Sequence, residues 1–306
     1  MKLVSFKNCS QNLVGGWVDG ELVVDMHEAS GGELPNQIFT LIEDWDDHAD
    51  TVKELAARIE FGDKGVYHEA DVQLHAPLPR PVSFRDFYAF EQHVKTARGK
   101  RGLDVVPEWY DFPVFYFSNH LAIKGPQDTV DKPHSCEWLD YELEIACIIG
   151  KEGKDITVEE AEEHIFGYCI LNDWSARDLQ REEMKVGLGP AKGKDFATSI
   201  GPWLVTKDEL EAYRIGDRFD LEMTASVNGE LLSKGNYKDI HYTFAEMIAR
   251  ASEGVTLYPG EVIGSGTVGT GCILELGTDI HPWLKPGDEV ELEITGLGQL
   301  NNKIRG

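Results

Sequence analysis

Glu142 and Glu144 stand one residue apart in Tyr141-Glu142-Leu143-Glu144-Ile145-Ala146-Cys147-Ile148-Ile149. In a strand the side chains alternate faces with period two, so the two carboxylates point the same way. The opposite face is Tyr141, Leu143, Ile145, Cys147 and Ile149, and the glutamates' own face runs on into Ala146 and Ile148. Glutamates at this spacing commonly mark the wet face of an exposed strand, but a strand apolar on both faces is buried. A buried carboxylate is costly unless a cation or hydrogen-bond donors compensate it. Asp173 closes the next apolar run, Tyr168-Cys169-Ile170-Leu171-Asn172-Asp173. Three carboxylates on adjacent buried strands predict a seat for a hard divalent cation, which takes oxygen ligands.

Other polar groups gain meaning beside such a seat. In Asp173-Trp174-Ser175-Ala176-Arg177-Asp178-Leu179-Gln180, Arg177 and Gln180 lie three apart and share one helical face. On a plain surface Arg177 would pair with a neighbouring acid and Asp173 would form a turn. Next to a cation, a fixed guanidinium and an amide can hold a developing oxyanion. The stretch Gly187-Leu188-Gly189-Pro190-Ala191-Lys192-Gly193-Lys194-Asp195 fails the phosphate-loop pattern, because Gly189 and Gly193 are too close and Asp195 follows Lys194. It reads as a tight loop, which could deliver Lys194 to an enolate oxygen. Residues 85–93 read as helical, with Asp86 and His93 seven apart on one face. A lone histidine is commonly structural; His93 matters if Asp86 reaches the cation seat.

These groups need a scaffold, and 306 residues can bury one, as a large domain with a smaller partner. With 42% hydrophobic and 27% charged residues the composition is that of a globular protein. No apolar run approaches the ~20 residues that cross a bilayer. The N-terminus reads as a first strand rather than a signal peptide. A net charge of −25 opposes nucleic acid and anionic membranes as partners. Five cysteines (Cys9, Cys136, Cys147, Cys169 and Cys272), with no Cys-x-x-Cys pair, read as thiols of a cytoplasmic protein.

Along the chain, residues 1–76 read as a small β-rich domain. It opens with a hairpin at Asp19-Gly20 and includes a helix over 50–59 capped by Asp50 or Thr51. Pro77, Pro79 and Pro81 stiffen the boundary, and residues 77–306 form the second domain. Beyond residue 120 the chain reads as strands with two capped helices, at Thr157-Val158-Glu159-Glu160 and Thr243-Phe244-Ala245-Glu246. Asn228-Gly229 marks a hairpin, while Pro259-Gly260 and Pro286-Gly287 lead into strands. The pattern predicts a mainly β fold with some α, antiparallel and rolled.

Together these segments resemble the fumarylacetoacetate hydrolase family. The matching stretches are Asp86-Phe87-Tyr88 with Gln92-His93, Glu142-Leu143-Glu144, Asn172 to Asp178 with Gln180, and Gly193-Lys194 through Thr198 to Pro202-Trp203. Gly266-Thr267 and Leu274-Glu275-Leu276 also fit, so the resemblance spans roughly residues 80–300. It implies a β-roll core, a homodimer, and magnesium, calcium or manganese bound by Asp86, Glu142, Glu144 and Asp173, with Lys194 and Thr198 close by. It implies His93 as general base oriented by Glu275, and Arg177, Gln180 and Lys194 at the enolate oxygen. Tyr88, Tyr116 and Thr267 would face a small oxo-acid substrate. Fumarylacetoacetases proper carry a tyrosine four residues after the glutamine, where this chain has Met184.

The implied reaction is metal-dependent hydrolysis of a C–C bond in a β-diketo acid, such as an acylpyruvate or a fumarylacetoacetate-like compound. Oxaloacetate decarboxylation and hydroxymuconate-type isomerisation or hydration are alternatives on the same fold. A protein that binds metal or metabolite without catalysis is another. Residues 95–102 join four basic residues to Gly99 and Gly102 just after His93. They read either as an exposed turn or as a lid, disordered without ligand, whose Arg98 or Arg101 meets a substrate carboxylate.

Overall fold

The strand that carries Glu144, Leu143–Ile149, with Glu142 just before it, lies inside a 12-stranded sheet in the computed structural model, which describes residues 1–8 and 10–306. Ile165–Asn172 flanks it on one side with Glu144 opposite Leu171, and Val262–Gly264 on the other with Ala146 opposite Gly264. Phe84–Phe87 runs parallel to Val262–Gly264, setting Asp86 opposite Gly264, and pairs on its far edge with Phe115–Phe117. Beyond Ile165–Asn172 come Thr198–Thr206 and then Lys2–Lys7, Leu13–Asp19, Leu22–Asp25 and Val66–His68. The N-terminal strands therefore extend the same sheet, joined where Lys2 and Leu3 face Val205 and Leu204.

Both faces of Leu143–Ile149 are covered, as its apolar alternation requires. Leu143, Ile145 and Cys147 pack toward a second, five-stranded sheet through residues such as Ala225, Val290 and Leu292. Ala146 and Ile148 pack toward Trp17, Leu41 and Ile42 of the N-terminal segment. Burying a Leu or Ile side chain stabilises by about 1.5–3 kcal/mol. Such packing fixes the strand although Glu142 just precedes it and Glu144 is within it, two acids whose desolvation works against folding. The fold is strand-rich with interspersed helices, as the mainly β expectation has it.

Several local expectations hold. The Asp19-Gly20 and Asn228-Gly229 hairpins form, the second with φ of 52° and 81° at its two turn residues. Thr243 and Glu246 make a reciprocal capping box on the helix Phe244–Ser252. Others are corrected. The N-terminal helix is Trp45–Ala56 with Asp44 at its N-cap, and Trp45 docks edge-on against Phe166 at its start. Thr157 does bond Glu160 at 2.9 Å, yet only a short 3-10 turn, Ala161–His164, follows before the next strand begins. Residues 85–93 are not one helix: Asp86 is on the strand Phe84–Phe87 and His93 on the helix Glu91–Gly99. Cys136, Cys147, Cys169 and Cys272 are buried free thiols, and Cys9 lies outside the described residues. No helix is long and apolar enough to cross a membrane among the described residues.

Candidate active site

Three strands bring Asp86, Glu144 and Asp173 together, with carboxylate oxygens within 4.8 Å of one another and all three side chains buried. Close approach is built in: a Cβ at Gly264 would lie 2.4 Å from Asp86 Oδ1, so a larger residue there would displace the carboxylate. The Gly266 amide donates to Asp86 Oδ1 at 3.3 Å and the Thr267 hydroxyl to Glu144 Oε1 at 3.3 Å. The Tyr116 hydroxyl donates to Asp173. Glu144 Oε2 and Asp173 Oδ1 are buried without any partner among the described residues. Burial, reinforced by the Asp173 charge, raises the Asp86 carboxyl well above its ordinary range. Burial and the charges of Asp86, Glu142 and Asp173 do the same to Glu144. Asp173 is raised as well, chiefly by burial, with the Lys194 charge opposing.

Glu142 is different. Lys194 Nζ donates to it and, at 2.7 Å, to Asp173 Oδ2, while Arg177 Nη2 lies 2.9 Å from its Oε1 as an ion pair without hydrogen-bond alignment. Burial opposes its ionisation, but the Arg177 and Lys194 charges outweigh that and hold its carboxyl well below the usual range. Lys194 in turn is held above its ordinary value: burial opposes, and Asp173 and Glu142 prevail. Asp86, Asp140, Glu142, Glu144 and Asp173, five buried carboxylates, thus face the two buried cations Arg177 and Lys194. This surplus, with two orphaned oxygens, fits a hard divalent cation held by Asp86, Glu144 and Asp173. Glu142, also among the expected ligands, accepts from Lys194, as Asp173 does, and faces Arg177. Thr198 opens its strand next to the site and is buried.

His93 and Glu275 meet as expected. His93 Nδ1 and Glu275 Oε1 are 2.6 Å apart, both side chains nearly out of solvent. The Thr270 amide donates to the other Glu275 oxygen at 3.1 Å, and the Cys272 thiol lies 3.7 Å from Oε1. With Nδ1 engaged, Nε2 is the ring nitrogen left for proton transfer. His93 is within electrostatic reach of Glu142, which ties this pair to the carboxylate cluster. Tyr88 packs edge-on against His93 at 5.3 Å, and burial pushes its hydroxyl up to about 12, so it stays protonated.

Arg177 and Gln180 sit one turn apart on the helix Arg177–Met184. Arg177 Nη1 donates to Gln180 Oε1 at 3.2 Å, leaving the Gln180 amide nitrogen as its donor. Arg177 Nε donates to Asp140 Oδ2 at 2.9 Å. Asp140 was not among the expected residues, although a signal existed: Asp140, Glu142 and Glu144 continue one period-two face. Glu183, on the same helix, accepts the backbone N–H groups of Ala191, Lys192 and Gly193 at 2.9, 2.7 and 3.1 Å and so folds the loop that presents Lys194.

Of the two readings of residues 95–102, an exposed turn or a lid, the structure shows a helix end followed by an exposed turn at residues 100–102. Lys95 to Gly99 complete the helix Glu91–Gly99, whose buried Val94 and Ala97 pin it to the core. Arg98 Nε donates to the Asp104 carbonyl at 2.5 Å and Arg101 Nε to the Ala97 carbonyl at 3.2 Å. Both arginines are within electrostatic reach of Tyr88.

Comparison with known proteins matches this geometry to a family. Residues 83–305 match the model of the fumarylacetoacetate (FAA) hydrolase C-terminal domain. The oxaloacetate tautomerase YisK of Bacillus subtilis is 30% identical over 99% of this chain and 100% of its own length. The fumarylacetoacetase of Bos taurus is 31% identical over 65% of this chain and 59% of its own. A maleylpyruvate hydrolase from Sphingobium sp. SYK-6, solved with manganese(II) and pyruvate, shares the fold. Its TM-score is 0.74 at 24% identity, covering 100% of this chain and 99% of that one. Enzymes of different reactions thus share this architecture, and the chain belongs to the fumarylacetoacetate hydrolase family.

Proposed function

We propose that the chain is a metal-dependent enzyme that moves a proton at the carbon beside the keto group of a short 2-oxo diacid, interconverting its keto and enol forms. The observation that carries this reading is the buried His93–Glu275 pair beside the carboxylate cluster. A structural cation seat needs no oriented base. A divalent cation held by Asp86, Glu144 and Asp173 would polarise two substrate oxygens as a Lewis acid and counter the enolate charge. Glu275 fixes the ring of His93 through Nδ1, and Nε2 takes the proton from one atom and returns it to the other. The Gln180 amide, turned by Arg177, and the Lys194 ammonium hold the oxygen on which charge develops. The relative aligned along its whole length, the B. subtilis oxaloacetate tautomerase, supports oxaloacetate as first candidate.

A second reading, hydrolysis of a C–C bond in a β-diketo acid, is favoured by the fumarylacetoacetase relatives. There His93 would take the proton from an attacking water. Met184, 43% exposed where fumarylacetoacetases carry a tyrosine, speaks against fumarylacetoacetate itself. The test is to follow the enol absorbance of oxaloacetate and the diketone absorbance of acetylpyruvate with manganese present. The first reading expects accelerated enol decay that falls about 10²-fold or more in His93→Asn. Cleavage of acetylpyruvate with no effect on oxaloacetate would replace it with the second.

A further inference from the structure

Asp140 is fully buried and its carboxylate joins two parts of the site that are distant in sequence. Oδ2 accepts Arg177 Nε at 2.9 Å and the Leu274 amide at 3.0 Å, and Oδ1 accepts the Ile273 amide at 2.8 Å. Arg177 orients Gln180, and the turn Ile273–Leu276 carries Glu275, which orients His93. A two-residue ladder holds Asp140 itself: Leu139 faces Ala176 and Asp140 faces Ser175, so the aspartate is registered directly against the residues preceding Arg177. Nothing in the cation seat requires this residue, since Asp86, Glu144 and Asp173 gather without it.

We propose that Asp140 is a positioning residue that locks the Arg177–Gln180 arm and the Glu275–His93 arm into one fixed relation across the substrate. This rests on the reading above, in which one arm holds the substrate oxygen and the other moves the proton. The chemistry requires such a link. A base and an oxyanion donor act together only when held to within about 0.5 Å of the productive geometry. Charge-assisted bonds to one buried carboxylate hold both arms more stiffly than neutral contacts would.

Asp140→Asn keeps the size and one acceptor but presents no charge to Arg177. Three measurements then bear on the same variant: manganese affinity by calorimetry, affinity for oxalate (a planar mimic of the enolate) with manganese present, and amide exchange over residues 270–276. Manganese affinity is expected to stay within about twofold. Oxalate should weaken about tenfold or more, and the amides of Ile273 and Leu274 should exchange faster. A variant with unchanged oxalate affinity and unchanged exchange overturns the proposal. Loss of manganese, oxalate and thermal stability in parallel overturns it too, because that is a general structural role. If Asp140→Asn does not fold, Arg177→Lys tests the link from its other end. It should speed exchange at Ile273 and Leu274, which Arg177 does not touch, and unchanged exchange there overturns the proposal. The exchange readout is independent of substrate, so a failed tautomerase assay with altered exchange rejects the proposed reaction and not the link.

Discussion

Glu275 holds His93 by a 2.6 Å bond in a pair nearly sealed from solvent, while its second oxygen is held by the Thr270 amide. The imidazole can therefore neither rotate nor exchange tautomers freely. Glu275→Gln still offers an oxygen to Nδ1 but no charge to an imidazolium. We expect kcat to fall about 10- to 100-fold with KM nearly unchanged, and His93→Asn to fall further. Steady-state kinetics on oxaloacetate check this. Equal losses in kcat and in manganese affinity would point to damage at the cation seat.

The orphaned Glu144 Oε2 predicts effects of opposite sign with and without metal. Without metal, Glu144→Gln removes the cost of burying a carboxyl whose ionisation burial and the acidic neighbours oppose. The variant should be more stable than the parent by about 1–2 kcal/mol, a rise of a few degrees in Tm. In the parent, a cation at 100 times its Kd adds about 2.7 kcal/mol. The variant should lose most of that gain. Thermal melts with chelator and with manganese read both effects.

Glu183 is only half-buried, yet three backbone N–H groups converge on it. Burial opposes its ionisation, but those three donors outweigh it and hold the carboxyl below its ordinary value. A depressed carboxylate contributes stability above its unfolded pKa of about 4.3 and loses it as pH falls through the folded value. Exchange of the 191–193 amides should accordingly quicken under acid in the parent. In Glu183→Ala it should be fast at every pH, with kcat reduced because Lys194 is no longer presented.

Gly193 tests the same loop by bulk. A Cβ there would lie 2.8 Å from the Gln180 backbone nitrogen, Cα and Cβ. Gly193→Ala must push the loop off the helix Arg177–Met184, at a cost of about 1–3 kcal/mol. Denaturant unfolding measures the cost, and kcat should fall more than stability alone explains.

Arg98, on the helix Glu91–Gly99, and Arg101, in the turn after it, are candidates for the distal carboxylate. Replacing both with alanine should raise KM for oxaloacetate about tenfold, near 1.4 kcal/mol, and that for acetylpyruvate much less. Equal changes for the diacid and the monoacid would remove them from substrate binding.

The sequence made the acids legible because alternation and apolar flanks work over a few residues. Glu142, Glu144 and Asp173 needed no long-range information to be placed at one site. Asp86 and His93 were misplaced locally, because four strand residues between loops carry too little periodicity to tell a strand from a helix. The partition among the acids was illegible for a different reason. That Glu142 serves Lys194 and Arg177, while Asp140 serves Arg177 and a distant turn, depends on which cation arrives from another strand. Thr157 and Glu160 bond to each other but cap no helix, because a short 3-10 turn and the strand Ile165–Asn172 take the residues that a helix would have used.

The N-terminal strands also serve as a guard rail. Lys2–Lys7 covers Leu204 and Val205 on the edge of Thr198–Thr206, the strand that leads away from the site. An uncovered apolar edge is a template for pairing with other chains. Cutting the protein between Pro77 and Pro81 would therefore strip the sheet of its border. The remaining segment, though it contains every candidate site residue, should assemble edge to edge into higher-order species, visible as early elution and light scattering.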